Sequence, residues 1–306
     1  MIMRNVGVKF FVAAFFTFLT YFVEGQGCSD AGFCTLNSFK PHNTDSVAQT
    51  KNQFKVGNSF GNADHSISIF GNYLEYNRQL NDKFTFDAKI ASLFQNGNGI
   101  SVFGLSDVYL NANYQIGEKI KLTVGTKIPL TNGNKMKDHL SLPMDYQSSL
   151  GTFDIILGIG YEIKKIQLVA AIQHPLTQNS NRFIAVEYSL NSKWREFQPT
   201  NKFKRSGDIL LRVSYPLALG DKFIITPSIL PIYHLTNDKY SDVLDVEKDI
   251  NGSQGLTLNG NAYFDYKINA KNTLQLNLGM PFVARKTRPD GLTRHFIVNL
   301  EYSINF

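Results

Sequence analysis

The chain has 306 residues and carries 31 Lys and Arg against 25 Asp and Glu, a formal charge of +6. That excess is too small and too dispersed to build the basic stripe that nucleic acid requires. With 24 Phe, 14 Tyr and 23 Gly and a mean hydropathy of −0.17, the composition fits an exported β protein, because strands that alternate apolar and polar residues average out in such an index.

The amino terminus, "MIMRNVGVKFFVAAFFTFLTYFVEGQGC", places Arg4 and Lys9 before an apolar run from Phe10 to Val23, with Val23 and Gly25 small enough for cleavage before Gln26. This is the plan of a secretory signal peptide over residues 1–25. A retained anchor and a lipoprotein cysteine at Cys28 are the alternatives. The run is short for a spanning helix, and Gly25 and Gln26 suit lipid attachment poorly.

Residues 26–50, "QGCSDAGFCTLNSFKPHNTDSVAQT", lack a strand period. They are read either as a periplasmic plug or cap for a barrel lumen or as a disordered leader. Cys28 and Cys34 are the only cysteines, and in an oxidising compartment a disulfide is the expected outcome. Metal binding with Asp30 and His42 is the alternative, but the spacing matches no zinc pattern.

Residues 51–306 read as strands joined by alternating connections. Short turns are expected at 81–83, 117–119, 164–165, 219–222 and 269–272, and mostly longer connections at 96–101, 132–149, 177–206, 237–253 and 284–292. Short turns on one side and longer loops on the other is the asymmetry of a bacterial outer-membrane barrel, here an all-β, antiparallel, up-and-down barrel of about twelve strands. Three strands repeat an Asp seven residues before a Tyr: Asp107 and Tyr114, Asp154 and Tyr161, Asp208 and Tyr215. An odd separation puts the two on opposite faces, so each Tyr belongs to an outer aromatic girdle and each Asp to the lumen. Strands leaving the short turns carry Pro129, Pro175, Pro231 and Pro281, where pairing is expected to end because Pro has no donor. The chain closes on "HFIVNLEYSINF", in which Phe296, Val298, Leu300, Tyr302, Ile304 and Phe306 alternate with mostly polar neighbours and Glu301 faces the lumen.

Three candidate features follow. Asp107, Lys127, Asp154, Gln173, Asp208 and Arg212 share the inward parity and would form a mixed-charge constriction along a substrate path; cross-strand ion pairs filling a narrow barrel are the bland alternative. Pro227, on the outward parity in "FIITPSILP", lacks one ladder donor and is expected to make a bulge or a local opening in the wall. Trp194, in "KWREFQ", would contact lipopolysaccharide, a ligand, or only solvent. The six histidines are scattered and no P-loop, dinucleotide fingerprint or Gly-x-Ser-x-Gly elbow occurs. No cofactor, metal site or catalytic residue is expected.

The terminal "NLEYSINF" resembles the signal by which Gram-negative outer-membrane barrels are recognised by the barrel assembly machinery, with Tyr302 and Phe306 as its aromatics. "GLSDVYLNANYQI", "KLTVGTKIPL" and "GTFDIILGIGY" are similar to the Gly-x-x-Asp strands and Pro-ended strands of a family of outer-membrane transporters related to the phenol-degradation barrel proteins and, more distantly, to long-chain fatty-acid channels. The resemblance implies passive passage of small, often hydrophobic molecules by a porin-like barrel. It brings no catalytic residues, and the chain departs from the fatty-acid channels in strand number and in its short amino-terminal segment. The reading is therefore a monomeric outer-membrane channel or transporter in contact with lipid and lipopolysaccharide. A structural or adhesive barrel and an outer-membrane barrel hydrolase remain as alternatives.

Overall fold

The period of two is realised as twelve antiparallel strands closed into a barrel. The computed structural model describes residues 35–41, 51–291 and 295–306. The expected signal peptide, and Cys28, Cys34 and His42, lie outside the described residues. The strands are β1 (Asn52–Asn62), β2 (Ser68–Gln79), β3 (Phe84–Gly97), β4 (Ile100–Ile116), β5 (Ile120–Pro129), β6 (Asp154–Ile163), β7 (Ile166–Pro175), β8 (Asp208–Ser214, resumed at Leu217–Leu219), β9 (Phe223–His234), β10 (Gly255–Lys267), β11 (Asn272–Val283) and β12 (Phe296–Asn305). Each pairs with its neighbours in sequence. The terminal strand returns to β1, from Gln53 opposite Asn305 to Asn62 opposite Phe296. Closure leaves no sheet edge, the condition for a β structure to cross a bilayer.

Burial divides the faces cleanly. Outward Leu74, Val124, Ile159, Leu211, Ile229 and Leu300 are exposed, whereas Glu75, Thr123, Arg212, Ser228 and Glu301, one residue away from their exposed neighbours, are buried inside. An apolar exterior around a polar interior is the inverse of a soluble protein and fits lipid outside. Tyr114, Tyr161, Tyr215, Tyr266 and Tyr302 all lie exposed at the short-turn end, forming one aromatic girdle. Near the other end Phe60, Phe70, Phe94 and Phe103 stand opposite one another on four successive strands, with ring centroids 4.8 Å apart for Phe60–Phe70 and 6.0 Å for Phe70–Phe94.

Several local expectations are corrected. The connection expected at 96–101 is not long: β3 and β4 are joined by Asn98 and Gly99 alone, both at positive φ (51° and 76°), the type I′ geometry for which Asn-Gly is suited. Pairing ends at Pro129 and Pro175 but runs past Pro231 to His234 and past Pro281 to Val283, with a register shift between the Asn259–Pro281 and Leu258–Val283 pairs. Pro227 makes no bulge, since it pairs in continuous register with Ala262; the ladder instead breaks on its other side, at Tyr215 and Pro216 between the two parts of β8. There Tyr215 donates its N–H to the Pro227 carbonyl at 3.1 Å, but Pro227 has none to return.

Beyond the strands, the connections away from the short turns fold into a cap. Residues 142–152 are almost all buried. Tyr146 donates to the Gly97 carbonyl at 2.9 Å and packs with Phe183, Phe197 and Ile67 in one apolar cluster. Trp194, expected to meet solvent, lipopolysaccharide or a ligand, packs instead against this cluster beside Tyr146, Tyr188 and Phe197. Met144, Leu150, Phe203 and Ile250 form a second cluster that ties three connections together.

Candidate functional site within the lumen

The inward-facing candidates other than Arg212 lie near one level on the neighbouring strands β4 to β8, with Lys127 opposite Asp154 and Gln173 opposite Asp208, and they divide into hydrogen-bonded groups. Lys127 and Asp154, opposite each other on β5 and β6, form an ion pair at 2.9 Å with both side chains fully buried, and Gln173 on β7 donates to the same carboxylate. Asp107 lies on the next strand, β4, within reach of the Lys127 charge, at a bulge: Ser106 and Asp107 together oppose Ala91, so two consecutive residues are buried. Its carboxylate accepts from Ser106 at 2.9 Å and from Ser149 of the cap at 2.6 Å.

Asp208 belongs to a third group. It is bonded to Arg205 and, at 2.7 Å, to Nδ1 of His234, whose Nε2 lies 2.8 Å from Asp238. All four side chains are buried, and a ring nitrogen on each side facing a carboxylate suits an imidazolium donating to both. Burial lowers and the carboxylates of Asp208, Asp290 and Asp238 raise the Arg205 pKa, leaving it above its ordinary value. Arg285 and Asp290, fully buried at 2.9 Å, continue this network in the last connection, and Arg288 bonds Asp64 at 2.6 Å to reach the first. These ion pairs fasten the cap. Only His234 and Asp208 of this set lie on strands, and pairing of strand to loop residues cannot be read from spacing.

Arg212 has a different partner. Residues 35–41 enter the lumen from the short-turn end, and Arg212 donates to the carbonyl oxygen of Phe39. Phe39 and Leu36 are buried against Tyr109 of β4 and Ile156, Ala171, Leu210, Leu230 and Ile232 of β6 to β9. Lys40 reaches Glu301 of β12 at 2.7 Å; Glu301 also lies 3.3 Å from Lys55 of β1 and accepts from Tyr73 of β2. Lys55 donates to Asn37 at 2.7 Å, Lys89 donates to Thr35 at 2.9 Å from above the Tyr73 ring, and Ser38 donates to Asp87 at 2.6 Å. Wall strands around the circumference thus hold one short segment. None of Tyr73, Asp87 or Lys89 was among the residues expected from sequence, because their shared partner is the segment itself.

Between that segment and the short turns lies a cavity of about 350 Å³, lined by Lys40, Gln115, Lys121, Gln167, Arg212 and Ser214 among others. Among the described residues no cluster of His, Cys, Asp and Glu has the makings of a metal site.

A closed antiparallel barrel with an apolar belt, an aromatic girdle and a polar interior is a transmembrane barrel of the outer-membrane type. Comparison with solved structures bears this out: the chain is similar to the COG4313 outer membrane channel from Pseudomonas putida F1, at 14% identity and a TM-score of 0.59, covering 87% of this chain and 100% of that one. The CymD monoaromatic hydrocarbon channel (9% identity, TM-score 0.45, covering 93% and 94%) and the KdgM porin (7%, 0.44, 83% and 99%) are more distant. No family model and no curated protein matches the sequence. The fold likeness carries the barrel part of the resemblance drawn from the strand motifs, and the narrower family rests on those motifs alone.

Proposed function

We propose that the protein is an outer-membrane channel for small molecules, exported through a cleaved signal peptide and held closed by its own amino-terminal segment. The observation that carries this reading is that a peptide segment, rather than side chains of the wall, occupies the apolar part of the lumen. Leu36 and Phe39 cover Tyr109, Ile156, Ala171, Leu210, Leu230 and Ile232, a patch that is out of place on the inner wall of a barrel that merely fills itself. Every polar hold on residues 35–41 named above is a hydrogen bond or ion pair, so the segment can leave as a unit without breaking a wall strand. On this reading Arg212 is a latch on the segment, while Asp107, Lys127, Asp154, Gln173 and Asp208 are fastenings of the wall and cap around the path. The ladder break beside Pro227 is a weak point of the wall at the short-turn end. Full-length protein in planar bilayers tests the proposal. Phe39→Ala should conduct more often or for longer than the native chain, and a barrel silent in both forms overturns the channel reading.

Silence in both would favour a structural or adhesive barrel. The observation on that side is the tightly fastened cap, whose outermost residues include Leu190 and Leu244, 84% and 79% exposed. A hydrolase has less support: among the described residues, His234 is held between two carboxylates rather than beside a hydroxyl nucleophile.

A further inference from the structure

The two sides of the lumen differ in chemistry. Beside the apolar patch, beginning with the strand paired to β9, strands β10, β11 and β12 turn Asn259, Asn261, Asn277 and Asn299 inward, none more than 7% exposed. In each of the four the amide oxygen is buried without a hydrogen-bond partner among the described protein atoms. A buried amide oxygen left so is costly, and native interiors rarely tolerate several together. Two of the four spend their amino groups on the wall: Asn259 donates to the Leu230 carbonyl and Asn299 to the Tyr73 hydroxyl, both at 3.3 Å.

Register makes the four a group. Asn277 stands directly opposite Asn299 on one side and Tyr263 on the other, and Asn261 stands opposite Gly279. A Cβ at Gly279 would sit 2.5 Å from the Asn261 amide nitrogen, so the missing side chain lets that amide lie along the wall. Ser59, equally small, is the partner of Asn299 on β1. With strands about 4.8 Å apart and same-face residues about 7 Å apart, Asn261, Asn277 and Asn299 fall in a patch of roughly 10 by 7 Å, the footprint of one sugar ring, and Asn259 lies one same-face step further toward the cap.

We propose that Asn259, Asn261, Asn277 and Asn299 form a lumenal subsite for a neutral, hydroxyl-rich solute of monosaccharide size. This rests on the channel reading above and narrows it. Side-chain amides accept through one atom and donate through its neighbour, which matches adjacent hydroxyls that do the same. An ion would find no net charge in these four, and an apolar solute would leave the oxygens unsatisfied. Tyr263, beside Asn277, lies with its ring under the Arg212 guanidinium at 5.9 Å, which places the latch residue next to the subsite. Because Asn299 bonds the Tyr73 hydroxyl, which in turn bonds Glu301, a solute engaging this amide would also disturb the group that holds Lys40.

The test uses the full chain and Phe39→Ala, each in liposomes for D-glucose swelling and in planar bilayers for KCl conductance. Asn261→Leu with Asn277→Leu should lower the glucose rate about fivefold, as expected for the loss of hydrogen bonds worth about 1 kcal/mol, while KCl conductance changes far less. Threonine at both positions, which keeps polar partners, should retain most of the glucose rate. Equal loss of both readings, or no loss of either, overturns the subsite and leaves the channel standing. Absence of conductance and of swelling in both backgrounds overturns the channel reading, and the subsite with it.

Discussion

The ring of Phe39 occupies the space that a side chain at Gly158 would fill: a Cβ built there overlaps the ring edge and lies 2.8 Å from its Cζ. Gly158 therefore shapes the lumen for an aromatic residue that arrives from outside the barrel. Gly160, two residues along the same strand, has no such neighbour, its nearest atoms being 3.7 Å away.

Gly158→Leu should expel Phe39 while leaving the wall intact, because the new side chain falls where the ring was. The variant should conduct more than the native protein and expose residues 35–41 to protease. Gly160→Ala should do neither. Equal behaviour of the two variants, by single-channel recording and proteolysis in detergent, would remove Phe39 from any role in closure.

Glu301 serves two buried ammonium groups, Lys40 at 2.7 Å and Lys55 at 3.3 Å. Glu301→Gln strands both, and removing one partner from a buried pair costs about 3–5 kcal/mol. The expected result is earlier thermal loss of the near-ultraviolet tyrosine signal together with release of the segment. Asp245→Asn, which breaks the exposed Lys202–Asp245 pair at 2.6 Å, should leave the transition where it is, since solvent screens such pairs.

Asp145, in the cap, has its carboxyl pushed up to about 7, first by burial and then by the negative charges of Asp64 and Asp290. A carboxyl raised on folding holds its proton in the folded cap when the unfolded chain has already lost it. Its contribution is thus complete at low pH, declines as pH rises above about 4, and is gone once pH passes 7. Hydrogen exchange of residues 142–150, corrected for intrinsic rate, should show weaker protection at pH 8 than at pH 5. Asp145→Asn should abolish the difference.

Deletion of Phe306 should reduce the amount of barrel inserted in the outer membrane severalfold while leaving refolding into detergent unchanged. Phe306 is 56% exposed at the end of β12, and its backbone bonds with Asn52 are reciprocal at 3.1 and 2.9 Å. Equal loss in both settings would make it a structural residue rather than an assembly signal.

The barrel was legible because alternation, short turns and the Asp-to-Tyr spacing are all local. Lys127 and Asp154 were correctly assigned to one face, yet their pairing depends on the register of β5 and β6. The bulge that buries Ser106 beside Asp107 leaves alternation looking undisturbed in the sequence. Asn98-Gly99 was readable as a two-residue hairpin, but its flanking Asn and Gly disguised it as part of a longer loop. The segment around Phe39 was hardest: seven residues held by side chains from nine strands have no period of their own. The amides of β10 to β12 looked like ordinary inward polar residues until their oxygens were found without partners.

Glu301 and Lys55 sit on opposite sides of the junction where the last strand meets the first, and Tyr73 lies one strand further on. The receptor for Lys40 therefore comes into being only when the two ends of the sheet have met. A half-assembled barrel can hold the segment through Arg212 and the apolar patch but cannot seat Lys40 among Glu301, Lys55 and Tyr73, so the seating of Lys40 reports that circularisation is complete.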